Sequence, residues 1–70
     1  MAAEIAVTVN GSPMYLPAGA SVADLLERLR VSTPRVAVER NREILPKAQY
    51  AATVLVEGDS YEVVELVGGG

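Results

Sequence analysis

Residues 4 to 9, Glu-Ile-Ala-Val-Thr-Val, alternate strictly, with Ile5, Val7 and Val9 on one side and Glu4, Ala6 and Thr8 on the other. A period of two predicts a half-buried strand. Asn10-Gly11 follows, the dipeptide that most readily supplies the positive φ angles of a tight hairpin. A second strand is predicted through Ser12 to Leu16, with Met14 and Leu16 on one face. Pro13 has no N–H for a ladder, which places it near the start of an edge strand. Pro17-Ala18-Gly19-Ala20 breaks the alternation. The period then changes: Val22, Leu25, Leu26 and Leu29 fall at i, i+3, i+4 and i+7, one apolar stripe of a helix, with Glu27, Arg28 and Arg30 facing water. Ser21 opens it, its hydroxyl accepting from an amide three residues on while Asp24 returns the bond, a variant of the capping box. Val31-Ser32-Thr33-Pro34 is expected to end it, because the residue before a proline is pushed out of helical geometry.

Arg35 to Glu39 predicts a third strand with Val36 and Val38 inward. Arg40-Asn41-Arg42 is a turn in which Asn41 best takes a left-handed conformation, and Glu43 to Leu45 is a short fourth strand stopped by Pro46. Lys47 to Thr53 allows a single helical turn, Val54 to Val56 a connecting extended piece, and Glu57-Gly58-Asp59 another turn. Tyr61 to Val67 is the last strand, and Gly68-Gly69-Gly70 follows. The expected organisation is a single domain over residues 1–67 and a flexible glycine tail over 68–70. One helix must cover one sheet of four to five strands. The simplest arrangement puts the first and last strands side by side and parallel in the middle, with the helix crossing between them: an α+β, β-grasp (ubiquitin-like) fold with a mixed sheet.

Composition removes most enzyme chemistry. The 70 residues include no Cys and no His, so a disulfide framework, a zinc cluster, a thiol nucleophile and the usual near-neutral base are all absent. Ser12, Ser21, Ser32 and Ser60 have no histidine to activate them, Lys47 stands in no constellation, and no phosphate-cradling glycine loop occurs. Glu57 and Asp59 flank a turn glycine, where acidic residues are ordinary solvated turn formers. A net charge of −3 and only three aromatics argue against nucleic acid. The start, Met-Ala-Ala-Glu, lacks the basic head and apolar stretch of a signal peptide, and no apolar run approaches a membrane span, so a cytoplasmic location is expected.

Charge is segregated along the chain. Residues 28–47 carry all six cations, whereas residues 48–70 carry only Glu57, Asp59, Glu62 and Glu65. This suggests steering of the C-terminal end toward a basic partner cleft. The last strand adds a parity argument: with Tyr61 and Val63 under the helix, Glu62, Val64 and Leu66 fall on the face that a single helix leaves bare, an apolar patch suited to docking. The glycines beyond it lack Cβ atoms, so an extended end of this kind threads a channel that admits backbone only.

The ordered segments Val36-Ala37-Val38-Glu39-Arg40-Asn41, Ile44-Leu45-Pro46-Lys47, Tyr50, Glu57-Gly58-Asp59 and Val63-Val64-Glu65-Leu66-Val67 ending in Gly-Gly resemble the ThiS-type sulfur carrier proteins of thiamine biosynthesis over nearly the whole chain. Arg42 departs from the glycine common in that turn of the family, which leaves Asn41 to bear the turn geometry. The resemblance implies a carrier rather than an enzyme. The Gly70 carboxylate would be adenylated by a ubiquitin-activating-like (ThiF-type) partner using ATP and Mg, with Gly68 and Gly69 recognised as the tail. A persulfide donor would then convert it to a thiocarboxylate, which a ThiG-type thiazole synthase consumes. No cofactor would be bound by the carrier itself. The small subunit of molybdopterin synthase, other ubiquitin-like carriers or modifiers and a plain β-grasp binding module are the alternatives, each with a similar outline.

Overall fold

The computed structural model describes residues 3–31 and 33–66. Five strands and one helix follow in the order β1 (Glu4–Val9), β2 (Ser12–Pro17), α1 (Val22–Leu29), β3 (Val36–Arg40), β4 (Glu43–Leu45) and β5 (Ser60–Glu65). Short 3-10 turns at Thr33–Arg35 and Lys47–Gln49 complete the path. The sheet order is β2-β1-β5-β3-β4, with β1 and β5 parallel at its centre and all other pairs antiparallel. This is the β-grasp arrangement that the order of elements predicts.

Both tight hairpins follow from their turn residues. Asn10 and Gly11 take φ of 50° and 84°, and Ser12 pairs with Val9. The two-residue loop sets the register, so Val7 meets Met14 and Ile5 meets Leu16 on the helix side. At the second hairpin Asn41 and Arg42 both lie at positive φ, 51° and 71°. Arg42 therefore shares the left-handed geometry that the sequence assigns to Asn41 alone, and as a residue with a Cβ it does so at a steric cost.

Helix α1 begins as expected: the Ser21 side chain accepts from the Asp24 amide and the Asp24 carboxylate accepts from the Ser21 amide. Its end differs from expectation. The stop is not the Pro34 restriction but Arg30, which turns left-handed at φ 60° and donates its N–H to the helix's last carbonyls. This αL cap closes the helix four residues before the proline. Val22, Leu25 and Leu26 are buried to within 2% exposure and pack on Val7, Val9, Leu16, Val36, Val38, Tyr61 and Val63 from the sheet, with Tyr50 and Leu55 closing the core. That is one thin layer of contacts, in which a truncation such as Leu25→Ala costs about 2–5 kcal/mol. No helix among the described residues is long and apolar enough to cross a membrane.

Candidate functional site

The helix covers one face of the sheet and leaves the other bare. Alternation along β5 decides what lies there: Tyr61 and Val63 are buried, whereas Glu62 is exposed and Val64 and Leu66 are 54% and 52% exposed. The predicted docking residues thus share the open face. The cross-strand register extends the patch beyond them, pairing Val64 with Ala37, Glu62 with Glu39, and Glu39 in turn with Ile44 on β4. Ile44, at 81% exposure, is the most exposed large apolar side chain described, and sequence reading missed it. The signal was present: a two-residue turn at Asn41-Arg42 fixes the pairing of Glu39 with Ile44, and Leu45 as an inward residue leaves Ile44 outward. Glu39 and Glu62 face each other directly on neighbouring strands, and neither forms an ion pair among the described residues.

The strand leaves the sheet beside β3. Leu66 donates its amide to the Arg35 carbonyl at 2.6 Å, one residue past the last ladder pair, Glu65 with Val36. Val67 and the predicted tail residues Gly68, Gly69 and Gly70 lie outside the described residues.

The start of β5 is held differently from expectation. Asp59, read from the sequence as a solvated turn former, is only 6% exposed. Its Oδ2 accepts from Arg40 Nε at 3.1 Å, the Val56 amide at 3.0 Å and the Tyr61 hydroxyl at 3.0 Å, while Oδ1 accepts from Asn41 Nδ2 at 3.1 Å. Glu57 is not a free turn carboxylate either, since its Oε1 accepts from the Ala6 amide at 3.0 Å. Burial opposes the Asp59 charge, but the donors from Asn41, Val56, Tyr61 and Arg40 outweigh it and hold the carboxyl below its usual range. Burial first, and then the bond to Asp59, pushes the Tyr61 phenol up to about 12. The Arg40 guanidinium is raised by its hydrogen bond to Asp59, and Tyr50 is raised by burial. The sequence could not show this, because Asp59 is buried only when the β3–β4 hairpin folds over it. Both turn asparagines contribute to the clamp on β5: Asn41 Oδ1 accepts from the Ser60 amide, and Asn10 exchanges two hydrogen bonds with the Val63 backbone.

These positions divide the acidic C-terminal segment between the two ends of β5. Glu57 and Asp59 stand at the opposite end of β5 from the tail exit, and Asp59 is neutralised internally by Arg40. The exit is bordered by the exposed Glu65, the last residue of β5, as well as by Arg35 and by Lys47, whose Nζ donates to the Pro34 carbonyl at 2.8 Å. The open face carries negative charge at the exposed Glu39 and Glu62. No cluster of acidic side chains among the described residues is placed to hold a metal ion. A groove of about 500 Å³ runs between the end of β2 and α1, lined by Leu16, Pro17, Asp24 and Arg28, away from the open face.

Over residues 7–70 the sequence matches the ThiS family. A thiazole synthase of Paramagnetospirillum magneticum is 42% identical over 64 residues, which cover 91% of this chain and 20% of that protein. The chain thus spans about a fifth of the length of the thiazole synthases it matches. The sulfur carrier protein ThiS of Escherichia coli is 30% identical over 64 residues, 91% of this chain and 97% of that protein. The crystal structure of the thiamine biosynthesis protein ThiS from Geobacter metallireducens is similar with a TM-score of 0.79 at 35% identity, covering 94% of this chain and all of that one. On its sequence and its fold alike, the chain belongs to the ThiS family.

Proposed function

We propose that this chain is a cytoplasmic sulfur carrier of thiamine biosynthesis that acts as a co-substrate and not as a catalyst. The observation that carries this reading is family membership over residues 7–70, together with a central strand that runs off the sheet toward three glycines beside an uncovered apolar face. A carboxylate is a poor electrophile, because its charge repels a nucleophile and it offers no leaving group. Activation by a ThiF-type adenylating partner with ATP and Mg solves both problems at Gly70, forming an acyl adenylate and pyrophosphate. A persulfide-derived sulfur then displaces AMP, and the resulting thiocarboxylate is the donor for thiazole formation. The chain contributes what it has: Gly68 and Gly69 as a slender lead into the partner's active site, and Val64, Leu66 and Glu62 as a docking surface with Ile44 at its far side.

The partner that consumes the sulfur is a ThiG-type thiazole synthase on this reading. The support is the match to relatives named thiazole synthase in which a region like this chain forms part of a much longer protein. The test is intact mass spectrometry after incubation with ATP, Mg, the adenylating partner and a sulfur source. The expected product has one oxygen exchanged for sulfur at Gly70, and it is consumed when thiazole synthase and its substrates are added. Deletion of Gly69 and Gly70 is expected to leave thermal unfolding unchanged and to abolish the product. A mass that never changes, or a truncated chain that still transfers sulfur, overturns the proposal.

A further inference from the structure

The ladder between β1 and β5 ends where Val9 pairs with Tyr61, yet β5 runs on to Glu65. Asn10 carries the pairing one step further. Its backbone N–H donates to the Tyr61 carbonyl at 2.9 Å, its Nδ2 donates to the Val63 carbonyl at 3.0 Å, and its Oδ1 accepts from the Val63 amide at 2.8 Å. A carboxamide offers donor and acceptor side by side, so this side chain stands in for the strand residue that β1 lacks beyond its turn. Past Val63, the backbone bonds among the described residues tie β5 to β3 alone: Val64 pairs with Ala37, Glu65 with Val36, and the Leu66 amide donates to the Arg35 carbonyl. The turn itself does not demand these bonds. Its left-handed φ of 50° at Asn10 and 84° at Gly11 is met as well by Gly-Gly, so the link to Val63 is a second use of the side chain.

Resting on the reading that Val64, Leu66 and Glu62 form the docking surface, we propose that Asn10 is a positioning residue for engagement of the adenylating partner. It acts through Val63, by fixing the direction of β5 just before the docking residues. A ribbon of two strands twists more than a strand held on both sides. With Asn10 in place β5 is held on both sides as far as Val63, and Val64, the first apolar residue of the docking surface, comes next. Without it the two-stranded stretch begins two residues earlier, just after Tyr61, and the added twist turns Val64 and Leu66 out of line with Glu62, Glu39 and Ile44. Water satisfies the Val63 N–H and C=O when the side chain is gone, but water does not tie them to the β1–β2 hairpin. Asn10 stands 53 positions before Val63, on the side of β5 away from β3 and β4. Affinity for the partner is thus set in part by a turn that carries none of the docking residues.

The test follows pyrophosphate release by the adenylating partner, with ATP and Mg, against the concentration of the full chain, at a temperature where every variant is folded. Asn10→Gly keeps the turn and removes the two side-chain bonds to Val63. It is expected to raise KM for the chain about three- to tenfold with kcat unchanged, as follows when the docking geometry is populated about a third to a tenth of the time. Amide hydrogen exchange is expected to quicken at Val63, Val64 and Leu66, while Val7 and Val38 in the body of the sheet stay protected. Ser21→Ala removes the helix cap, away from β5, and separates positioning from stability: it is expected to lower the unfolding midpoint and leave KM at the parental value. A parental KM in Asn10→Gly, or an equal rise in Ser21→Ala, overturns the positioning role and leaves the carrier reading standing. A parent chain that yields no pyrophosphate overturns both.

Discussion

Asn41 and Arg42 occupy neighbouring left-handed positions for different reasons, and glycine substitution separates them. Arg42 is at φ 71°, and its backbone conformation is one that glycine takes without penalty. Arg42→Gly is expected to stabilise the domain by about 0.5–1 kcal/mol. Asn41→Gly relieves strain as well, but it removes the bonds to Asp59 and to the Ser60 amide, and a net loss of about 1–2 kcal/mol is expected. Urea unfolding of the two variants is the measurement, and opposite signs are the outcome sought. The Asp59 carboxyl carries a pH prediction. Its folded-state value lies below the 3.8 of an unperturbed carboxyl, so the stability it provides is complete above that value and is lost as pH falls through the folded one. Acid unfolding of Asp59→Asn should accordingly show a shallower fall below about pH 4 than the parent chain, from a lower starting stability. Nothing local in Glu57-Gly58-Asp59 announces this role. A turn that ends in Asp looks the same whether the carboxylate faces water or a hairpin 18 residues earlier in the chain.

Strands and helix were legible where one period or one dipeptide decides them. The alternation of Ile5, Val7 and Val9, the Asn10-Gly11 turn and the parity of Tyr61 against Val64 each carry over unchanged, because a shift of one residue would turn an apolar row out to water. The helix start was legible for a similar reason: Ser21 and Asp24 satisfy two amides that would otherwise lack partners. Ser21→Ala is expected to cost about 1 kcal/mol, read as a lower urea midpoint with an unchanged slope. The helix end was less legible, since Arg30 is a residue that seldom turns left-handed. Its cap geometry is imposed by Val31, which packs on the core and draws the chain round before Pro34 is reached.

At the scale of the whole molecule, the fold rearranges charge that looks simple along the chain. The acidic C-terminal segment is divided by β5, with Glu57 and Asp59 before its start and Glu65 at its end, where Arg35 and Lys47 also stand. On the open face Glu62 and Glu39 stand opposite each other, with Ile44 and Val64 beside them. Like charges directly across a ladder destabilise a sheet by a few tenths to about 1 kcal/mol, so the free chain gives up stability to keep this pair. A basic side chain of the proposed adenylating partner would relieve that repulsion on docking, and the pair's field would speed the encounter. Glu62→Gln is therefore expected to act in opposite directions on the two properties, raising the unfolding midpoint while slowing association with the adenylating partner. The slowing should shrink as salt is raised through the range where the screening length falls below about 8 Å. Glu4→Gln, at the other end of the sheet, is the control and is expected to move neither. Stopped-flow association at several ionic strengths, set beside thermal unfolding of the same variants, decides the matter. A Glu62→Gln chain that is more stable and associates at the parental rate would remove charge from the docking role and leave it to Val64, Leu66 and Ile44.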